Sequence, residues 1–229
     1  MKTIGLIGGM SWESSAEYYR LINEEVKQRL GGLHSAKCIL YSVDFAEVEA
    51  CQRNGEWSRA AGILGDAARG LEAAGADFLV ICTNTMHKVA DGIQAAIKIP
   101  LLHIADLAAR QVLAGGIQTV GLLGTRYTME EDFYRSRLEG RGIKVIIPKE
   151  SDRAAIDTVI FDELCLGRII DESRARYKGI IQELVEQGAG GIVLGCTEIG
   201  LLVKPEDSVV PLFDTTLIHA GGAVSFALA

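Results

Sequence analysis

Two short polar stretches, Cys82-Thr83-Asn84-Thr85-Met86-His87 and Cys196-Thr197-Glu198, hold the residue types that move protons and bind small anions. Each follows an almost continuously apolar run, Phe78-Leu79-Val80-Ile81 in one case and Gly191-Ile192-Val193-Leu194 in the other. A strand end that runs into a helix leaves backbone N–H groups free and favours a carboxylate or phosphate there. Asn84, Thr85 and Thr197 would complete such a cradle, although the same residue types also serve as plain helix caps. Its recurrence at two matching places argues for a site. A lone buried cysteine is ordinarily structural, but Cys196 is flanked by Gly195, Thr197 and Glu198 rather than by apolar neighbours. A helix N-terminus at that point is expected to lower its thiol below the free value of about 8.5 and supply thiolate. His87 is placed either to shuttle a proton or to orient a neighbour. Cys38, Cys51 and Cys165 lie in apolar or amphipathic segments and read as structural, and His34, His103 and His219 share no suggestive spacing.

The elements that position these residues alternate between short apolar runs and longer amphipathic ones, the pattern of βα units on a mostly parallel, buried sheet. Strands are expected near 3–8, 37–43, 77–82, 100–104, 118–123, 143–147, 190–195 and 208–212. Helices are expected near 14–30, 56–74, 87–97, 105–114, 128–141, 152–165, 171–187 and 215–228. Ser14 with Glu17 reads as a capping box, and Asp214 as the N-cap of the last helix. The chain is also duplicated at a spacing near 115 residues. Gly5-Leu6-Ile7-Gly8-Gly9 echoes Gly121-Leu122-Leu123-Gly124-Thr125, and the segment 74–84 echoes 188–198, which sets Cys82 against Cys196. The expected fold class is therefore α/β, with two similar lobes of mostly parallel sheet related by a pseudo-two-fold axis. Residues 1–100 with 215–229 form one lobe and 101–214 the other. Ligands of open α/β sheets sit beyond the carboxyl ends of the strands, so the active site is expected in a cleft served by both lobes.

Composition narrows the function classes. The 229 residues are 48% hydrophobic and 23% charged, with a net charge of −7 and no basic run, so nucleic acid is excluded as a partner. The glycine-broken opening lacks the h-region of a secretory signal, and no apolar stretch approaches the roughly 18 residues that span a bilayer. Five cysteines without a C-x-x-C pair argue against a disulfide framework or a metal site and for reduced thiols in the cytoplasm. Neither G-x-G-x-x-G nor G-x-x-x-x-G-K-[ST] occurs, so the glycine turn suits a small ligand rather than a dinucleotide, and Asp44 alone is weak support for ribose binding.

Ile7-Gly8-Gly9-Met10-Ser11, Thr83-Asn84-Thr85-Met86-His87, Leu123-Gly124-Thr125 and Gly195-Cys196-Thr197-Glu198-Ile199 occur in the order found in the aspartate/glutamate racemase family. The chain resembles that family almost end to end, and within it the enterobacterial branch with a preference for L-aspartate and L-glutamate. The resemblance implies a cofactor-independent amino-acid racemase, with no metal and no pyridoxal phosphate, often dimeric. In the family, two cysteines exchange protons on opposite faces of the α-carbon. The first of them opens a Cys-Asn-Thr-x-His motif, and that position here is Thr83, with Cys82 one residue early. Neighbours on a strand face opposite ways, so Thr83 and Cys196 are the expected catalytic pair. The resemblance places Met10, Gln52 and Thr125 near the ligand, Glu198 near its amino group, and Arg168 where the family often has a lysine for the distal carboxylate. Donors aimed at the developing enolate-like charge, among them Asn84, Thr85 and Thr197, suit that chemistry. Alternatives are a related cysteine-dependent isomerase or decarboxylase of the hydantoin racemase or arylmalonate decarboxylase type, or a non-catalytic carboxylate-binding protein.

Overall fold

The computed structural model describes residues 1–229, which divide into two compact units, Met1–His103 with His219–Ala229 and Ile104–Ile218. The first unit runs β1 (Ile4–Gly8), α1 (Trp12–Leu30), β2 (Cys38–Ser42), α2 (Phe45–Asn54), α3 (Trp57–Ala73), β3 (Phe78–Ile81), α4 (Ala90–Ala95) and β4 (Leu101–Leu102). The second runs α5 (Ile104–Ala114), β5 (Thr119–Gly124), α6 (Arg126–Glu130), α7 (Asp132–Glu139), β6 (Lys144–Ile146), α8 (Glu150–Asp162), α9 (Asp171–Glu186), β7 (Gly191–Gly195), α10 (Ile199–Leu202) and β8 (Leu212–Asp214). The last helix, α11 (Thr215–Leu228), leaves β8 and returns the chain to the first unit. Each unit holds a four-stranded, wholly parallel sheet, ordered β2-β1-β3-β4 in the first and β6-β5-β7-β8 in the second. The identical order bears out the duplication.

Strand residues alternate between two cores in each unit, because successive side chains of a strand face opposite ways. In the first unit Ile4, Leu6, Phe78, Val80 and Cys82 pack with α1 and α11, whereas Ile7, Leu79 and Ile81 pack with α2 and α3. In the second, Ile192, Leu194 and Cys196 pack with α8 and α9, and Val193 lies on the other face with Val120 and Leu122. All five cysteines are free thiols, and no helix is long and apolar enough to cross a membrane.

Several local expectations are corrected. Ser11, not Ser14, caps α1, its hydroxyl accepting from the Ser14 N–H at 3.2 Å. Asp44 caps α2, a helix the periodicity missed, its carboxylate accepting from the Ala46 N–H at 3.1 Å. The expected helix over 128–141 is two helices, broken where Glu131 turns extended at φ −92°, ψ 156°. The strand expected at 208–212 lies at Leu212–Asp214, where its residues pair with Ile192, Val193 and Leu194. Asp214 does cap α11, accepting from the Thr216 and Leu217 N–H groups at 2.8 and 3.2 Å.

Candidate active site

Both units gather buried polar groups at the carboxyl ends of their two central strands. In the first unit β1 is followed by Gly9, at φ +88°, where any Cβ would collide with the Val43 carbonyl, so only glycine turns the chain here. The turn delivers Met10, which is buried, and Ser15 braces it by accepting from the Gly9 N–H at 2.7 Å. Beyond β3 the chain presents Thr83, half-buried, then Asn84 and Thr85, both buried at the start of a 3₁₀ turn over Thr85–Val89. Gln52 comes from α2, and its side-chain amide reaches the Met86 sulfur at 3.0 Å. In the second unit Thr125 caps α6 just past β5, its Oγ1 accepting from the Thr128 N–H at 3.3 Å. Cys196, Thr197 and Glu198 follow β7, all buried. Arg168 is exposed in the turn after α8, with its backbone N–H donating to the Glu163 carbonyl at 2.9 Å.

The register of the two sheets shows which residues correspond. Gly5 of β1 pairs with Leu79, and its counterpart Gly121 of β5 pairs with Ile192. Counting outward, Ile81 matches Leu194, Cys82 matches Gly195, and Thr83 matches Cys196. The alignment of Cys82 with Cys196 drawn from the sequence repeat is thus one residue out. Side-chain parity agrees: Cys82 is fully buried in the α1/α11 core with Phe78 and Val80, and burial pushes its thiol far up. Thr83 occupies in its sheet the place Cys196 occupies in the other.

Residues 7–223 match the family model described as Asp/Glu/Hydantoin racemase. The chain belongs to that family. A provisionally named Asp/Glu racemase from Yersinia pestis shares 58% identity over the whole of both chains, with a TM-score of 0.93. An aspartate racemase homologue from Pyrococcus horikoshii OT3 shares 33% over the whole of both, at 0.87. The broad specificity amino-acid racemase RacX of Bacillus subtilis is 28% identical over 164 residues, 72% of this chain and 70% of its own. Glutamate racemase from Francisella tularensis, at 16% identity and a TM-score of 0.67 over 99% of this chain and 81% of that one, shares the fold.

The charge state of this family member's Cys196 departs from the sequence expectation. The thiol donates to Glu198 Oε2 at 3.0 Å, and Thr197 Oγ1 donates to the same oxygen at 2.7 Å. Burial, followed by the negative charge of Glu198, holds the thiol well above its ordinary range, outweighing the Glu198 backbone N–H that favours the thiolate. The helix meant to lower it, α10, is a single turn of four residues. The resting group is therefore a protonated thiol with a carboxylate already on its proton.

His87, His103 and His219, which share no spacing in the sequence, come together in the first unit. The His87 and His103 rings lie 4.5 Å apart and those of His87 and His219 5.7 Å. His87 Nδ1 donates to the Thr83 carbonyl at 2.8 Å. Its sequence signals were its place four residues beyond Thr83 and the histidine of the family's Cys-Asn-Thr-x-His motif.

Proposed function

We propose that the protein racemises acidic amino acids, aspartate and glutamate, without a cofactor, with Cys196 and Thr83 as the acid/base groups of the two faces of the α-carbon. The observation that carries the reading is the register equivalence of Thr83 and Cys196, which gives a chain duplicated in fold a proton-transfer group at the same place in each half. Cys196 begins as a thiol; passing its proton to Glu198 leaves a thiolate and a carboxylic acid, and the thiolate then takes the α-proton of the L form. The substrate ammonium, lying near Glu198, favours the thiolate so formed. Asn84, Thr85 and Thr197 donate to the substrate carboxylate as it gains enolate-like charge, and Met10, Gln52 and Thr125 complete the binding surface. Thr83 delivers its hydroxyl proton to the opposite face and recovers one from solvent, while Glu198 gives up to solvent the proton it took from the thiol, which the α-hydrogen has replaced on Cys196. Arg168 takes the distal carboxylate as its turn meets the substrate. Free thiols throughout suit a reducing cytoplasm, and a homodimer is the assembly the family resemblance suggests.

The test is a screen of all L- and D-amino acids in heavy water, read by proton NMR for loss of the α-hydrogen signal and by chiral separation for inversion. Exchange and inversion confined to aspartate and glutamate, and abolished by Cys196→Ala, are the expected result. Exchange surviving Cys196→Ala, or carbon dioxide release from an α-carboxylated acid in place of inversion, overturns the reading.

A further inference from the structure

A group that stays protonated transfers a proton only where it is aimed, so the backbone carrying Thr83 needs fixing. The first unit contains a device of that kind. Past β3 the chain enters a 3₁₀ turn, in which the His87 N–H bonds the Asn84 carbonyl at 3.0 Å rather than the carbonyl one residue earlier. The Thr83 carbonyl thereby loses the partner an α-helix would have given it. The ring of His87 takes that place, and since a carbonyl only accepts, Nδ1 is the protonated nitrogen.

The ring is itself wedged from two sides. His103 closes the first pass of the chain through this unit, and His219 opens the return on α11. Both rings meet His87 edge-on, at 62° and 63°. His219 is locked in turn: its Nε2 donates to the Leu102 carbonyl at 2.9 Å and its Nδ1 accepts from the Tyr18 hydroxyl at 2.8 Å. Burial lowers its pKa to about 4, so the ring is neutral and that tautomer is fixed. With both His219 nitrogens and Nδ1 of His87 bonded to protein atoms, the cluster is a clamp and not a metal site.

The second unit serves as an internal control. Where the first unit has His87 the register puts Gly200, and where it has His103 the register puts Asp214. Those two positions also touch, since a Cβ on Gly200 would run into the Asp214 carboxylate, yet no imidazole is present. There the Cys196 carbonyl simply accepts the Ile199 N–H at 3.2 Å. The histidine clamp occurs only in the first unit.

We infer that His87, wedged between His103 and His219, is a positioning residue that fixes the Thr83 peptide and so aims the Thr83 hydroxyl. The inference rests on the reading of Thr83 as the second acid/base. Its test compares α-hydrogen exchange with inversion of L-glutamate in heavy water. His87→Ala should lower inversion at least fivefold more than it lowers exchange. His87→Asn, whose amide nitrogen can stand near the place of Nδ1, should bring the ratio back to within about twofold of wild type. Thr83→Ala is run alongside. If Thr83→Ala keeps the wild-type ratio, the role of Thr83 is wrong and the clamp has nothing to aim. If Thr83→Ala lowers the ratio while His87→Ala reduces exchange and inversion equally, or His87→Asn fails to rescue, the positioning role is overturned. Thermal melts accompany each variant, and His87→Gln, which keeps bulk but carries its amide one bond too far, replaces His87→Ala should that protein not fold.

Discussion

Replacing Glu198 by Gln removes a unit negative charge 3.0 Å from the Cys196 sulfur while leaving an amide oxygen to accept from the thiol and from Thr197. Two unit charges 3–4 Å apart interact by roughly 4–5 kcal/mol at an effective dielectric constant of about 20. Structural relaxation and the remaining amide dipole return much of that, and about a third of it still leaves roughly 1.4 kcal/mol, or about one pH unit in the thiol midpoint. The sign is fixed: the carboxylate opposes the thiolate, so Glu198→Gln lowers the Cys196 pKa, although burial keeps it above the ordinary range. Thiolate is the species that alkylates, so the assay is the pH dependence of iodoacetamide labelling at Cys196, resolved from the other cysteines by peptide mass spectrometry. The labelling midpoint should fall by about one unit while racemisation falls as well, because the group that receives the thiol proton has gone. A midpoint that stays or rises, or a variant that labels more readily and also racemises faster, refutes the account of the Cys196–Glu198 pair.

Cys82→Ala should leave racemisation within about twofold of wild type and cost about 1–2 kcal/mol of stability as a small cavity opens in the α1/α11 core, a melting shift of about 2–8 °C; a loss of activity as deep as that of Cys196→Ala would make Cys82 the second base. Arg168→Met should weaken aspartate and glutamate by about tenfold or more while sparing neutral amino acids, since a charge-assisted contact is worth roughly 1.5–3 kcal/mol; equal losses across substrates would remove Arg168 from the site. Asp207 accepts from Arg174 Nε at 2.7 Å and from the Lys204 N–H at 2.8 Å, and although burial works the other way, these bonds hold its carboxyl below the ordinary value. A depressed carboxylate stabilises the fold above its unfolded pKa of about 3.9 and ceases to as pH falls through the folded value. Arg174→Met should therefore lower the urea midpoint at pH 7, a deficit that narrows toward pH 2; a deficit independent of pH would mean that the ion pair is not its source.

Short, almost continuously apolar runs made most of the strands legible from sequence, and the opposite facing of strand neighbours separated Cys82 from Thr83. The duplication was legible too, but its register was not. Gly5 and Gly121 pair with Leu79 and Ile192, and these ladders show the one-residue offset that sets Thr83 rather than Cys82 against Cys196, where the sequence repeat had aligned the two cysteines. The β8 error has a local cause: Val209 and Val210 are apolar enough to suggest a strand, yet Val209 is 79% exposed and the ladder starts only at Leu212. The thiol state was misread because it depends on a side-chain choice, the Glu198 carboxylate folding back onto the sulfur, which outweighs a helix too short to help. The histidine cluster was invisible because His219 lies far along the chain from His87 and His103 and meets them only when α11 returns beside β4.

The central claim is that a thiol and a hydroxyl serve opposite faces of one α-carbon, and L-glutamate in heavy water tests it most directly. Exchange of the α-hydrogen and appearance of the D form are followed in one sample, by NMR and by chiral separation, for wild type and Thr83→Cys. Enantiomers have equal free energies in water, so kcat/KM must match in the two directions and the asymmetry can appear only in exchange or in kcat and KM separately. Cys196 can return a deuteron to the face it deprotonated, so wild-type exchange should outrun inversion, and a second thiol in Thr83→Cys should speed inversion more than exchange. Equal rates of exchange and inversion in the wild type, with the ratio unchanged in Thr83→Cys, would contradict the account.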